Sequence, residues 1–168
     1  MTLVRPMRAE EWPVYRDIRL RALLDAPDAF GSTHGAEVAL ADEGWAARVA
    51  AACAGGAARA LFAQVDGVVC GLAWCKVSAS DPRVADVYQM WVAPQARERG
   101  VGTALLQAIV EYAKGAGAEA LRLGVTLAES PAMRLYRSFG FAPAGDVEPL
   151  RKGSTLMAQT MRLDLRSR

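Results

Sequence analysis

The sequence predicts an α/β fold: a central mixed sheet of seven strands flanked by about four helices on both faces. Three observations predict it. Apolar runs of strand length alternate with stretches of helical period in the order β-α-α-β-β-β-α-β-α-β-β. Asp66-Gly67 joins two apolar runs as a hairpin, so part of the sheet is antiparallel. Val84–Val92, a helix and Ala120–Val125 form a strand–helix–strand unit, so another part is parallel, with the right-handed crossover such units adopt.

The elements follow in order. Thr2 to Arg5 reads as a short strand ended by Pro6. Glu10, Glu11 and Trp12-Pro13 open a helix, with acids where the dipole favours them and Pro where it is tolerated. Trp12, Tyr15, Ile18, Leu20, Leu23 and Leu24 give that helix its buried side, and it stops near Asp25-Ala26-Pro27. Asp28 to Thr33 is turn-rich, and a second helical region spans roughly Glu37 to Ala54 before Gly55-Gly56. Arg59–Val65 and Val68–Val77 are the hairpin strands, and Gly71 inside the second hints at a bulge or a close approach. Asp81-Pro82 turns into the Val84–Val92 strand. The central helix carries Leu105, Leu106, Ile109, Tyr112 and Ala113 on one face and closes at Lys114-Gly115-Ala116-Gly117. After Ala120–Val125, Glu129 or Ser130 starts a helix with Pro131 near its first position, ending at Gly140. Phe141–Val147 and Ser154–Leu165 read as two final antiparallel strands, the last with Met157, Gln159, Met161, Leu163 and Leu165 on one face. No linker or repeat interrupts residues 1–168, so one domain is expected.

Chemistry concentrates between the Val84–Val92 strand and the central helix, in Arg97-Glu98-Arg99-Gly100-Val101-Gly102-Thr103. Glycines adopt φ > 0 and let backbone amides approach a ligand. A helix N-terminus adds unpaired donors and partial positive charge, which suits a phosphate, and two arginines can add charge-assisted bonds. A strand–turn–helix with a solvated basic bend has the same local form. A P-loop is excluded because no Gly-Lys pair occurs, and the dinucleotide fingerprint fails where Leu105 replaces its third glycine.

What remains, Arg-x-x-Gly-x-Gly directly after a strand, resembles the pyrophosphate loop of the GNAT (Gcn5-related) N-acetyltransferase superfamily. A second stretch, Glu129 to Phe141, is similar to that family's Asn-x-x-Ala-x-x-Leu-Tyr-x-x-x-Gly-Phe pattern at Ala132, Leu135, Tyr136, Gly140 and Phe141. It departs at Glu129, where the family's Asn contacts the pantetheine arm and a carboxylate lacks the amide donor.

The resemblance implies acetyl-CoA as cosubstrate, no metal, and direct attack of a primary amine on the thioester in a ternary complex. It implies cofactor contacts from the backbone of Met90, Trp91 and Val92, from Arg97 to Thr103 (Arg97, Glu98, Arg99, Gly100, Val101, Gly102, Thr103), and from Glu129. The first group lies on a strand splayed away from its parallel neighbour. Tyr136 takes the place of the general acid: a phenol with pKa near 10 stays protonated and can donate to a thiolate of pKa about 8.5. By helical spacing alone the same tyrosine reads as an ordinary core residue. For the base, Asp86 (with the parity of Tyr88 and Met90), Glu37 and Glu148 are candidates; each reads equally as a surface acid, and water can relay the proton. The rival readings are a non-catalytic acyl-CoA-binding or sensing domain on the same scaffold and a protein N-terminal acetylase. Acceptor identity and oligomeric state, a homodimer included, stay open.

Composition narrows the classes further. Hydrophobic residues make up 52% and charged residues 23%, an ordinary globular balance. A net charge of +2 is too small to argue for nucleic acid or an anionic membrane; the partner that the resemblance implies is a small-molecule or peptide amine. The N-terminal MTLVRPMRAEEW lacks the apolar core of a signal peptide, and the cytoplasm is the default. Three cysteines without a C-x-x-C pair argue against a disulfide framework or zinc. His34 is the sole histidine and no Gly-x-Ser-x-Gly elbow accompanies it, which disfavours a hydrolase. Cys70 and Cys75, five apart on a strand, point to opposite faces and disfavour transfer through a cysteine.

Overall fold

A computed structural model describes residues 1–168. All seven strands join one sheet: β1 (Thr2–Pro6), β2 (Ala58–Val65), β3 (Val68–Val77), β4 (Val84–Val92), β5 (Ala120–Thr126), β6 (Ala142–Pro149) and β7 (Met157–Asp164). Their spatial order is β1-β2-β3-β4-β5-β7-β6, and only β4 and β5 run parallel. Five helices accompany them: α1 (Trp12–Asp25), α2 (His34–Val38), α3 (Asp42–Cys53), α4 (Val101–Gly115) and α5 (Pro131–Phe139). No helix is long and apolar enough to cross a membrane.

Side-chain alternation places helices on both faces. On β3, the Trp74 ring packs on Tyr15 of α1, 5.1 Å between centroids. A Cβ at Gly71, of opposite parity, would lie 3.4 Å from Leu105 of α4. Tyr15, Trp45, Phe62, Leu72, Leu105, Leu106, Ile109, Leu121 and Met161 are all less than 2% exposed and fill the space between the layers. The Asp66-Gly67 turn has φ of 51° and 82°, the primed hairpin geometry that matches strand twist. The close approach at Gly71 is real: a Cβ there would meet the Trp91 carbonyl at 3.1 Å, and β2 and β3 slip register beside it.

Several boundaries differ from the sequence reading. The helical region expected over residues 37–54 is two helices. α2 begins at His34, where the Thr33 hydroxyl accepts from the Ala36 amide at 3.2 Å, and α3 begins at Asp42 with Asp42 and Glu43 in its first turn. Leu24, expected on the buried side of α1, is 64% exposed, whereas Arg19 is buried. The last strand starts at Met157 because residues 150–156 form a turn in which the Leu150 amide donates to the Leu156 carbonyl. β6 is an exposed edge carrying Pro143 and Pro149, residues that blunt further strand pairing.

Arg19 is buried because Glu37 meets it. Its Nε and Nη2 donate to the two Glu37 carboxylate oxygens at 3.0 and 2.8 Å, and Arg48 adds a bond at 2.7 Å. Burial pushes the Glu37 carboxyl up, but the hydrogen bonds from Arg19, Arg48 and Ser32 outweigh it and hold it down at about 2. A carboxyl depressed from its ordinary 4.5 contributes stability above pH 4.5 and loses it as pH falls toward 2. Urea unfolding from pH 7 to 3 should therefore show that acid-side loss in the wild type. Glu37→Gln should flatten this slope and cost about 3–5 kcal/mol at pH 7, because Arg19 is left buried without its counter-charge.

Candidate active site

The central feature is a gap in the sheet. β4 and β5 pair only at Val84–Ala120, Ala85–Leu121 and Asp86–Arg122, and then separate. At the last rung Arg122 grips Asp86 with two bonds of 2.7 and 3.1 Å. Beyond it a cleft of about 940 Å³ opens, with Met90, Trp91 and Val92 along one side and Gly124, Val125 and Thr126 along the other. Glu98, Gly100, Val101, Gly102 and Thr103 line one end, and Ala132, Leu135 and Tyr136 of α5 line the flank.

The loop between β4 and α4 takes its shape from two left-handed residues. Pro94–Ala96 forms a single 3-10 turn, Arg97 is extended, Glu98 has φ 61°, and Gly100 caps α4 at φ 79°. Space around a Gly100 Cβ is open, so its glycine serves backbone conformation rather than packing. Gly102 has a different reason: a Cβ there would lie 2.7 Å from Leu135 on α5. Along this path the amides of residues 98 to 103 make no hydrogen bond within the protein. A helix N-terminus with six successive free donors offers the hydrogen bonds and the dipole that suit an anion.

The arginines behave differently from each other. Arg97 turns back from the loop: its Nε donates to the Val92 carbonyl at 2.9 Å and its Nη2 to Asp25 at 2.7 Å. The same Asp25 oxygen accepts from the Trp91 indole at 2.9 Å. Burial pushes the Asp25 carboxyl up, but the bonds from Trp91 and Arg97 win and leave it lowered. Arg97 thus braces the loop while also lining the cleft. Arg99 is exposed and does not line the cleft. Neither does Glu129, which is 66% exposed and pairs with Arg137 at 2.7 Å.

Tyr136 is 7% exposed and lines the cleft. Its helix is sharply delimited. Ser130 caps it by accepting from the Met133 amide at 3.1 Å, Pro131 follows, and Gly140 ends it at φ 114°. The ring packs edge-on against Phe141, 5.7 Å between centroids. Burial alone pushes its hydroxyl up to about 12, so the phenol is held neutral.

The candidate bases lie elsewhere. Glu37 is locked between two arginines, Asp86 faces Arg122, and Glu148 stands on the exposed edge strand. Nor do Asp86, Tyr88 and Met90 share one face, because β4 carries a bulge between Tyr88 and Trp91. His34 lies outside the cleft lining, and burial pushes the Cys75 thiol up to about 12. The segment from Asp25 on, expected from the sequence to help shape the acceptor site, closes one side of the cleft, and what sequence reading missed is its partners. There Thr126 donates to the Asp28 carbonyl at 2.6 Å and Arg151 to the Phe30 carbonyl at 2.7 Å. These partners lie 98 and 121 positions apart, and no local signal pairs them.

A sheet that opens between its parallel strands toward an anion-seeking helix N-terminus is the arrangement the sequence resemblance implied. The model of the acetyltransferase (GNAT) family matches residues 10–141, and the chain belongs to that family. A mycothiol acetyltransferase of Pseudarthrobacter chlorophenolicus is 37% identical over 84 residues, 48% of this chain and 26% of that protein. A streptothricin acetyltransferase of Streptomyces lavendulae is 35% identical over 89 residues, 53% of this chain and 47% of that protein. The matched stretch is thus less than half of each of these relatives. In overall shape, a GNAT acetyltransferase of Streptococcus pneumoniae superposes with a TM-score of 0.82 at 19% identity, covering 98% of this chain and 99% of that one. A Salmonella typhimurium protein solved with its cofactor acetyl-CoA gives 0.80 at 18% identity, covering 99% and 95%. At these identities the likeness is one of fold.

The Asp25 brace is testable. Asp25→Ala leaves the Arg97 guanidinium and the Trp91 indole without their acceptor, so stability should fall by about 1–3 kcal/mol. Amide hydrogen exchange should speed up across residues 92–100 and stay unchanged in β1 and β2.

Proposed function

We propose that this chain is an N-acetyltransferase that binds acetyl-CoA in the cleft and acetylates a primary amine. The observation that carries this reading is the run of free amides from Glu98 to Thr103, at the head of a helix and opening into a cleft that also exposes Tyr136. Family membership supports it, as does the acetyl-CoA bound by a fold neighbour.

The residues present fit such a ligand. Six backbone donors beside a helix dipole suit the oxygens of a diphosphate and need no side-chain cation, consistent with Arg97 being engaged elsewhere. The parted edge of β4 at Met90, Trp91 and Val92 offers main-chain donors and acceptors to an amide-bearing arm, as a neighbouring strand would. Acetyl-CoA supplies a thioester, an activated acyl group with a thiol as its leaving group. Tyr136, neutral up to about 12, holds a proton at its hydroxyl for a departing sulfur of cysteine-like pKa, about 8.5. In this reading a backbone N–H of the parted strand polarises the thioester carbonyl oxygen. With Glu37 and Asp86 paired to arginines, the acceptor ammonium gives up its proton to water rather than to either acid. The acceptor is read as a small-molecule or peptide amine, in keeping with the mycothiol and streptothricin acetyltransferases among its relatives.

Thiol release from acetyl-CoA, followed against a panel of polyamines, amino acids, aminoglycosides and peptides, tests the reading. Amine-dependent release supports an enzyme. Tight acetyl-CoA binding with no release for any amine would make the chain a sensing domain, and no binding at all would remove the proposal. Tyr136→Phe should lower kcat by about 10²–10⁴-fold with little change in the acetyl-CoA KM.

The pH profile should be one-sided. Rate should rise with pH as the acceptor amine, of ordinary pKa about 10.4, loses its proton. The protonated phenol is the active form and is lost only as pH passes about 12, so no falling limb should occur below about pH 10. A kcat–pH series across the stable alkaline range checks this.

A further inference from the structure

β4 contains an extra residue that nothing in its local sequence demands. Trp74 of β3 pairs with Tyr88 and Leu72 pairs with Trp91, so two steps on β3 match three on β4. The additional residue bends the strand between Tyr88 and Trp91, beyond the last rung with β5 at Asp86, within the stretch that runs free of β5. It also inverts the facing of everything after it. Trp91, which an unbroken strand would turn toward the Val87 face, instead shares the face of Tyr88 and reaches Asp25.

The bulge is held by Gln89, at φ 51°. That conformation is unfavourable for a side chain with a Cβ, and glycine or asparagine would be the ordinary choice. The Gln89 carboxamide accepts from the Tyr15 hydroxyl at 2.7 Å. Tyr15 is fully buried, wedged between Trp45 and Trp74 at 5.6 and 5.1 Å, so its hydroxyl has few other partners. Arg48 stands at 3.5 Å from the same oxygen and is itself fixed by Glu37. A buried phenol that requires a partner and a carboxamide that meets it from a left-handed backbone form a latch.

We propose that Gln89 is a positioning residue: latched by Tyr15, it keeps β4 bulged and therefore parted from β5. The latch stands on geometry alone, and its consequence for coenzyme A binding rests on the function proposed above. Breaking the hydrogen bond while keeping a Cβ removes the compensation for φ 51°, and β4 relaxes toward a regular strand. Trp91 then loses Asp25, and the parted edge closes.

The test compares Gln89→Ala, Gln89→Gly and Tyr15→Phe with the wild type. The three-bond HN–Hα coupling at residue 89 reads φ directly, without ligand: it should rise to the extended-strand value in Gln89→Ala and Tyr15→Phe. Calorimetric titration with coenzyme A should show affinity about tenfold weaker in those two variants. Gln89→Gly, which tolerates positive φ without a latch, should restore affinity to within about threefold of wild type. Wild-type couplings in both variants, or a glycine variant as weak as the alanine one, would overturn the latch. Failure of the wild type to bind coenzyme A would sink the functional reading, and the couplings would still decide the latch.

Discussion

The molecule depends on the brevity of one pairing. β1 to β4 are an antiparallel set, and β5, β7 and β6 are another. Within the sheet the two sets are joined by three rungs of parallel ladder. Each set can afford this because its other edges are well paired: β4 stays bonded to β3 as far as Val92, and β5 stays bonded to β7 throughout. Unpaired main-chain groups in the middle of a sheet carry a desolvation cost unless water or a ligand meets them. The gap is therefore a site whose occupant should bring amide-like hydrogen bonding of its own. Helices α4 and α5 reinforce the join by packing on each other and across β5.

Part of the charge around the gap is spoken for. Asp25 serves Trp91 and Arg97, Glu37 serves Arg19 and Arg48, and Asp86 serves Arg122. Asp25, Glu37 and Asp86 each have a cation or an indole, whereas Asp28 and Glu98 also line the cleft and have none. Beside them the cleft offers backbone amides at one end, Tyr136 on its flank and the Arg134 side chain. In such surroundings a hydroxyl held neutral up to about 12 is a reservoir of one proton rather than a charge, which suits release of a leaving group at neutral pH.

Features written in local chemistry were legible in the sequence; features made by distant side chains were not. Asp66-Gly67, Ser130-Pro131 and Gly140 specify their turns and caps within a few residues, and the structure has them where the pattern put them. Gly100 and Gly102 announced the loop in the same way. Gln89 carries no such signal, because its left-handed backbone is compensated by Tyr15, 74 positions away. Arg97 read as a phosphate ligand since its partner Asp25 is 72 positions distant. Arg19 is not among the residues expected on the buried side of its helix, because its partner Glu37 lies 18 positions away. The break between α2 and α3 has neither Pro nor Gly within Leu40-Ala41.

The two glycines of the loop show how one short motif can set two distances. Gly100 permits the left-handed cap that turns the amides outward, so it governs what the helix end can hold. Gly102 lets Leu135 of α5 come within a space that any Cβ would fill. Leu135 directly precedes Tyr136, so the approach permitted by Gly102 also fixes how far the phenol stands from the free amides of the loop. A side chain at 102 would first meet the end of the Leu135 side chain, which would have to turn aside and give up its seat on α4. The contact of the loop with the helix that carries Tyr136 is thus a packing property of α4 against α5.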